Sequence, residues 1–153
     1  MIVIYTDGSS LGYPGPGGYG VVLLSPQHNM RKELSQGYRK TTNNRMELMA
    51  VIVGLEALKK PNTEVLIYSD SQYVINSIEK GWVWGWMKKD FKGKKNPDLW
   101  MRFIKVYKQH QVKFQWVKGH AGNPENERCD ELAVNAANSG QFLVDHGYES
   151  SQG

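Results

Sequence analysis

Only one cysteine, Cys129, occurs in the 153 residues. That excludes an intramolecular disulfide and a Cys-rich zinc site, and a single thiol suits a reducing compartment. No apolar run reaches the ~18 residues of a membrane span. The opening Met1-Ile2-Val3-Ile4-Tyr5 has no basic lead, is too short for a secretory signal core and runs straight into Asp7. Internal repeats and dividing linkers are also lacking. At 40% hydrophobic and 22% charged residues, the composition excludes a disordered chain. The excess of one charge sign is mild: 19 Lys and Arg against 15 Asp and Glu, a formal +4. That suits a polyanionic partner without demanding one. One soluble, cytoplasmic domain is expected, large enough to bury roughly 70% of its unfolded surface.

Strand and helix periods alternate along what is present. Ile2 to Tyr5 reads as a buried strand ending at the turn signal Thr6-Asp7-Gly8-Ser9. The prolines and glycines from Gly12 to Gly18 exclude helix. Tyr19 to Leu24 and Glu33 to Tyr38 are strands close enough for an antiparallel meander. From Asn44 to Lys60, Leu48, Ile52, Leu55 and Leu58 recur at helical spacing, with Asn43 or Asn44 as the N-cap and Pro61 as the stop. Val65 to Tyr68 reads as a strand running into Asp70, and Ser71 to Lys80 as a helix closed by Gly81. Leu99 to Gln109 is a helix, Phe114 to Val117 the last strand and Asn126 to Asn138 the last helix. The polar residues after Ser139 are expected to fray, so one domain is read over residues 1–138 and a flexible tail over 139–153. Strand–helix–strand passages require right-handed crossovers and parallel pairing of the first, fourth and fifth strands. The expected fold is α/β: a mixed five-stranded sheet, antiparallel meander plus parallel strands, flanked by helices.

Two of those strands end in an aspartate, Asp7 and Asp70. Paired in parallel, they would present both carboxylates at the edge where open α/β sheets place their sites. Glu47 and Asp130 fall in the first turns of two helices that could start near that edge. Taken singly, each acid serves equally well as a turn residue or a helix-dipole partner. Together, carboxylates ~4 Å apart repel by ~1 kcal/mol in water and ~4 kcal/mol at an effective dielectric of 20. Cations or protons must therefore occupy such a cluster, and hard oxygen ligands suit Mg²⁺ or Mn²⁺.

Six segments carry a family resemblance: Tyr5-Thr6-Asp7-Gly8-Ser9, Pro14-Gly15-Pro16-Gly17-Gly18-Tyr19-Gly20, Thr41-Thr42-Asn43-Asn44-Arg45-Met46-Glu47-Leu48, Ser69-Asp70-Ser71-Gln72-Tyr73-Val74, Trp116-Val117-Lys118-Gly119-His120 and Asn126-Glu127-Arg128-Cys129-Asp130-Glu131-Leu132-Ala133. In this order, from residue 1 to about 138, they resemble bacterial type 1 ribonuclease H. The resemblance implies the ribonuclease H-like fold and a monomeric endonuclease that cuts the RNA strand of an RNA/DNA hybrid. It also implies two divalent ions, Mg²⁺ with Mn²⁺ able to replace it, held by Asp7, Glu47, Asp70 and Asp130. His120 matches the family's loop histidine, whose imidazole could carry a proton at the leaving group or assist product departure.

Telling RNA from DNA requires groups that both donate to and accept from a 2′-hydroxyl. The amides of Asn43, Asn44 and Gln72 do both, and the family places substrate contacts at the matching positions, with Thr42 beside them. Two departures stand nearby. Tyr13 replaces an asparagine common in the family, and Ser10 a cysteine found in some bacterial relatives. From Trp82 to Lys95 aromatics alternate with lysines. The segment resembles the family's basic protrusion, so Trp82, Trp86, Lys88, Lys89 and Trp100 are expected at the DNA strand. A transferase core or a non-catalytic hybrid-binding module would share part of this pattern. The complete acid set favours the nuclease.

Overall fold

The computed structural model describes residues 1–119 and 121–152. Six strands form one sheet: β1 (Ile2–Ser10), β2 (Gly15–Ser25), β3 (Met30–Thr41), β4 (Glu64–Ser69), β5 (Gln111–Trp116) and β6 (Phe142–Leu143), in the order β5-β4-β1-β2-β3-β6. β1, β2 and β3 form the antiparallel meander, and β1, β4 and β5 run parallel, as the crossovers required. The sixth strand, beyond the five expected, is two residues pairing with Gly37 and Tyr38 of β3.

The turn signal in β1 does not end that strand. Asp7, Gly8, Ser9 and Ser10 all pair with β2, from Gly20 back to Gly17. A long partner strand supplies ladder bonds that outweigh local turn preference. β2, in mid-sheet, is buried almost continuously from Gly17 to Leu23.

α1 (Asn43–Glu56) is buried nearly all round, as expected of a helix enclosed on several sides. It packs on β1 and β2 and against α4 (Pro97–Tyr107). Ile4, Val21, Val65 and Ile67 from the sheet meet Leu48, Ile52, Trp100 and Phe103 in the resulting core. Thr42, not Asn43 or Asn44, is the α1 cap: its Oγ1 accepts the Arg45 amide at 3.3 Å. At the other end the Leu58 amide tightens onto Leu55 O, and α1 stops at Glu56, four residues short of the Lys60 expected before Pro61.

α2 (Gln72–Glu79) is capped by Ser71, and Gly81 follows it with φ 74°. The Trp-rich stretch forms a short helix, α3 (Trp82–Lys88). α5 (Pro124–Ala137) covers the opposite sheet face over β1, β2 and β3. It lies so close that a β-carbon on Gly20 would collide with the Cys129 carbonyl.

The tail expected to fray after residue 138 is instead built into the fold. β6 extends the sheet, and α6 (His146–Gln152) follows Asp145, which is buried. The polar composition concealed this, because what anchors the segment is a charged group satisfied by distant residues. No helix among the described residues is long and apolar enough to cross a membrane.

Candidate active site

Parallel pairing of β1 with β4 aligns Tyr5 with Tyr68, so Asp7, within β1, and Asp70, just past β4, each two residues on, stand side by side. α1 brings the third acid. A β-carbon on Gly8 would collide with the Met46–Glu47 backbone, so glycine lets β1 and α1 touch there. The Gly8 amide donates both to Asp7 Oδ1 and to Glu47 Oε1. Asp7, Glu47 and Asp70 each offer a carboxylate oxygen within 4.8 Å of the others. Asp130 lines the same cleft, of about 480 Å³, and its charge reaches Asp7. Glu47 sits in the second turn of α1 rather than the first, and Asp130 in the second turn of α5.

The cluster is electrostatically unsatisfied. Asp7 and Glu47 are 6% and 5% exposed. Burial pushes Asp7 up to about 7, and the Asp70 charge adds to this against the hydrogen bonds from Glu47 and Gly8. Burial, then the charge of Asp7, raises Glu47 well above the usual carboxylate range. Oxygen-only donors at this spacing, short of counter-charge, fit a hard divalent cation.

Around the acids, Asn43, Asn44 and Gln72 line the cleft wall, together with Ser9, Ser71 and Tyr73. Thr42 stands at the foot of α1 as its cap. Ser10 donates from Oγ to Gly12 O within the turn after β1, and Tyr13 is 84% exposed. The chain beyond β5 passes close by: a β-carbon on Gly119 would press on the Asp70 carboxylate. The next residue, His120, lies outside the described residues.

The Trp-rich segment divides. Trp82 is exposed, with Lys80 Nζ 5.3 Å from its ring centroid, while Lys88 and Lys89 stand in solvent. Trp86 is half-buried between Lys94, 5.4 Å from its ring, and Trp100. The contact expected of Trp100 is corrected. It is fully buried among Trp86, Phe103 and Tyr73, and its indole N–H donates to the Tyr73 hydroxyl. It supports the segment from below and cannot touch a ligand. Sequence reasoning missed Tyr73 and Asn96, whose side chains join there at 3.0 Å. The Asn96-Pro97 helix start was a usable signal for the second.

The model of the family described as RNase H matches residues 1–138. The ribonuclease H of Desulforamulus reducens is 59% identical over 149 residues, covering 94% of this chain and 92% of that protein. The structure of LC9-RNase H1, a type 1 RNase H with the type 2 active-site motif, superposes with a TM-score of 0.81 at 35% identity. It covers 98% of this chain and 79% of the other. LC11-RNase H1 in complex with an RNA/DNA hybrid matches with a TM-score of 0.65 at 28% identity, over 92% and 99% of the two chains. A carboxylate cleft on this sheet, within likeness of that extent, makes the chain a member of the RNase H family, a ribonuclease H of the bacterial type 1 kind.

Proposed function

We propose that the chain hydrolyses the RNA strand of RNA/DNA hybrids at the cleft of Asp7, Glu47, Asp70 and Asp130. The observation that carries this is the gathering of Asp7, Glu47 and Asp70 within 4.8 Å, beside asparagine and glutamine amides. The likeness to a family member solved with such a hybrid supports it. The four acids would hold two divalent cations, Mg²⁺ or in its place Mn²⁺. When bound, the ions supply charge neutralisation at the phosphoryl oxygens and an activated water for in-line displacement.

The chain's own side chains select and align the substrate. The amides of Asn43, Asn44 and Gln72 read the 2′-hydroxyl as donor and acceptor at once. Thr42, Ser10 and Tyr13 border the strand beside them. Lys88 and Lys89, with Trp82 and Trp86, hold the DNA strand through phosphate charge and stacking. His120 serves the leaving group, as proton carrier or in product departure.

The test offers labelled RNA/DNA hybrid, RNA duplex and DNA duplex to the pure protein, with Mg²⁺ or with EDTA. Asp7→Asn runs alongside. Cleavage confined to the hybrid's RNA strand, dependent on Mg²⁺ and lost in the variant, is expected. Binding without cleavage, or cutting of DNA, would overturn the reading.

A further inference from the structure

Arg45 stands two residues before Glu47 in α1, and its side chain is 3% exposed. It is divided among three residues. Nε and Nη2 each donate to Asp145, both at 2.8 Å. Nη1 and Nη2 donate to Asp98 at 2.9 and 2.7 Å. Nη1 also reaches Asn96 Oδ1 at 3.3 Å.

From Asn96 the chain of bonds continues. Its Nδ2 donates to the Tyr73 hydroxyl at 3.0 Å, which also accepts the Trp100 indole N–H at 2.9 Å. Tyr73 lines the carboxylate cleft next to Gln72. Asn96 closes the aromatic and basic segment 82–96, held at φ 62° just before Pro97 begins α4. An unbroken run of polar contacts thus leads from Asp145 through Arg45 and Asn96 to the cleft wall.

Asp145 is the fully enclosed end of that run. Its Oδ2 accepts the Thr41 hydroxyl at 2.7 Å in addition to Arg45, and its Oδ1 also accepts the Tyr148 amide at 3.3 Å. The Asp145 side chain is 3% exposed, whereas that of Asp98 is 42% exposed. The enclosed carboxylate escapes solvent screening and is the stiffer hold on the guanidinium. α6 closes over the cluster: a β-carbon on Gly147 would collide with the Asp98 carboxylate.

We propose that Asp145 is a positioning residue: by fixing the Arg45 guanidinium it sets where Asn96 and Tyr73 stand, and so aligns the basic segment 82–96 with the carboxylate cleft. The inference rests on the hybrid reading above. It gives residues beyond 138 a part in substrate handling. Arginine suits the centre because its five donors meet two carboxylates bidentately and an amide oxygen besides, whereas a lysine ammonium has three donors and no fork.

The experiment measures hybrid affinity in EDTA, where no cleavage competes, and thermal stability alongside. The proteins are the wild type, Asp145→Asn, the Lys88→Ala/Lys89→Ala pair and their combination. Asp145→Asn is expected to weaken hybrid binding about tenfold by displacing the segment. In the lysine-free background the same change should alter affinity by less than about twofold, while lowering Tm as it does alone. Tyr73→Phe removes only the hydroxyl at the far end and keeps the question answerable if Asp145→Asn does not fold. It should weaken binding with the same dependence on the lysines. A lower Tm with unchanged affinity would overturn the proposal, as would full additivity with the lysine changes. Asp7→Asn in Mg²⁺ serves as a second, non-cleaving binding control; failure of both the wild type in EDTA and this variant in Mg²⁺ to bind hybrid would remove the hybrid reading, and this inference with it.

Discussion

Two clusters of buried charge hang from one helix, and they are built on opposite principles. Around Arg45, a cation meets two carboxylates, with Thr41 and Asn96 occupying remaining positions. Around Glu47, carboxylates meet one another, and among the described residues only the Gly8 amide and mutual hydrogen bonds moderate them. Burial alone would tend to raise Asp98, but the Arg45 guanidinium outweighs it and holds Asp98 below the usual carboxylate range. Asp7, buried far more deeply than Asp98 and beside carboxylates rather than a guanidinium, is left near 7 despite the hydrogen bonds from Glu47 and Gly8. The first cluster is complete within the chain. The second is destabilising until a cation arrives, which is the signature of a site kept for chemistry at a cost in stability.

The largest effect expected comes from removing one acid of the uncompensated cluster. Asp7→Asn should reduce hybrid cleavage by about 10³-fold or more, because it removes a ligand and charge at the reacting phosphate. It should also raise Tm in EDTA, because it relieves repulsion. A fall in metal-free Tm would contradict the contrast. Next in size is Arg45→Ala, which leaves Asp145 buried and unpaired. It should cost about 3–5 kcal/mol, read as a lower urea midpoint at unchanged m-value. A loss under about 1 kcal/mol would mean that the cluster is not self-contained.

The pH response separates the clusters by sign. The Asp7 carboxyl binds its proton more tightly folded than unfolded, with the folded value near 7 against an ordinary 3.8. Its contribution is therefore fully present below the unfolded value and lost as pH rises through about 7. In EDTA, Tm measured for the wild type relative to Asp7→Asn should fall across that window. Mg²⁺ should restore more at the alkaline end than at the acid end. A relative Tm that climbs across the window would break the account.

Much of the cleft was legible from sequence because its logic is local. A buried strand running into an aspartate, twice, pointed through the expected crossover topology to parallel neighbours and two adjacent carboxylates. Glu47 and Asp130 followed from motif order, although each lies one or two positions deeper in its helix than expected. The compensated cluster was not legible. Arg45 and Asp145 are a hundred positions apart, and a lone acid in a polar tail carries no mark of its burial. β1 ran past its turn signal because the pairing that extends it belongs to β2. Trp100 was misread for a related reason. An indole among lysines looks the same whether it faces a ligand or, as here, sits beneath the exposed Trp82 segment with its N–H on Tyr73. Hydrophobic periodicity reports which face is apolar, and it does not report which ring lies under which.

The smallest effect expected distinguishes the two carboxylates on Arg45 from each other. Both form bidentate pairs of nearly equal length, so distance alone would rank them alike. Exposure ranks them differently, because the 42% exposed side chain of Asp98 is screened by water and that of Asp145, 3% exposed, is not. Asp98→Asn should therefore cost no more than about 1 kcal/mol, well below the loss from Arg45→Ala. Its sign against pH is opposite to that of the cleft. A depressed carboxyl contributes stability above its unfolded value, and that contribution is lost as pH falls through the folded one. The gap between wild type and Asp98→Asn should close on acidification and shrink with added salt. Equal losses from the Asp98 and Asp145 amides would show that geometry, and not enclosure, sets the strength of each hold on Arg45.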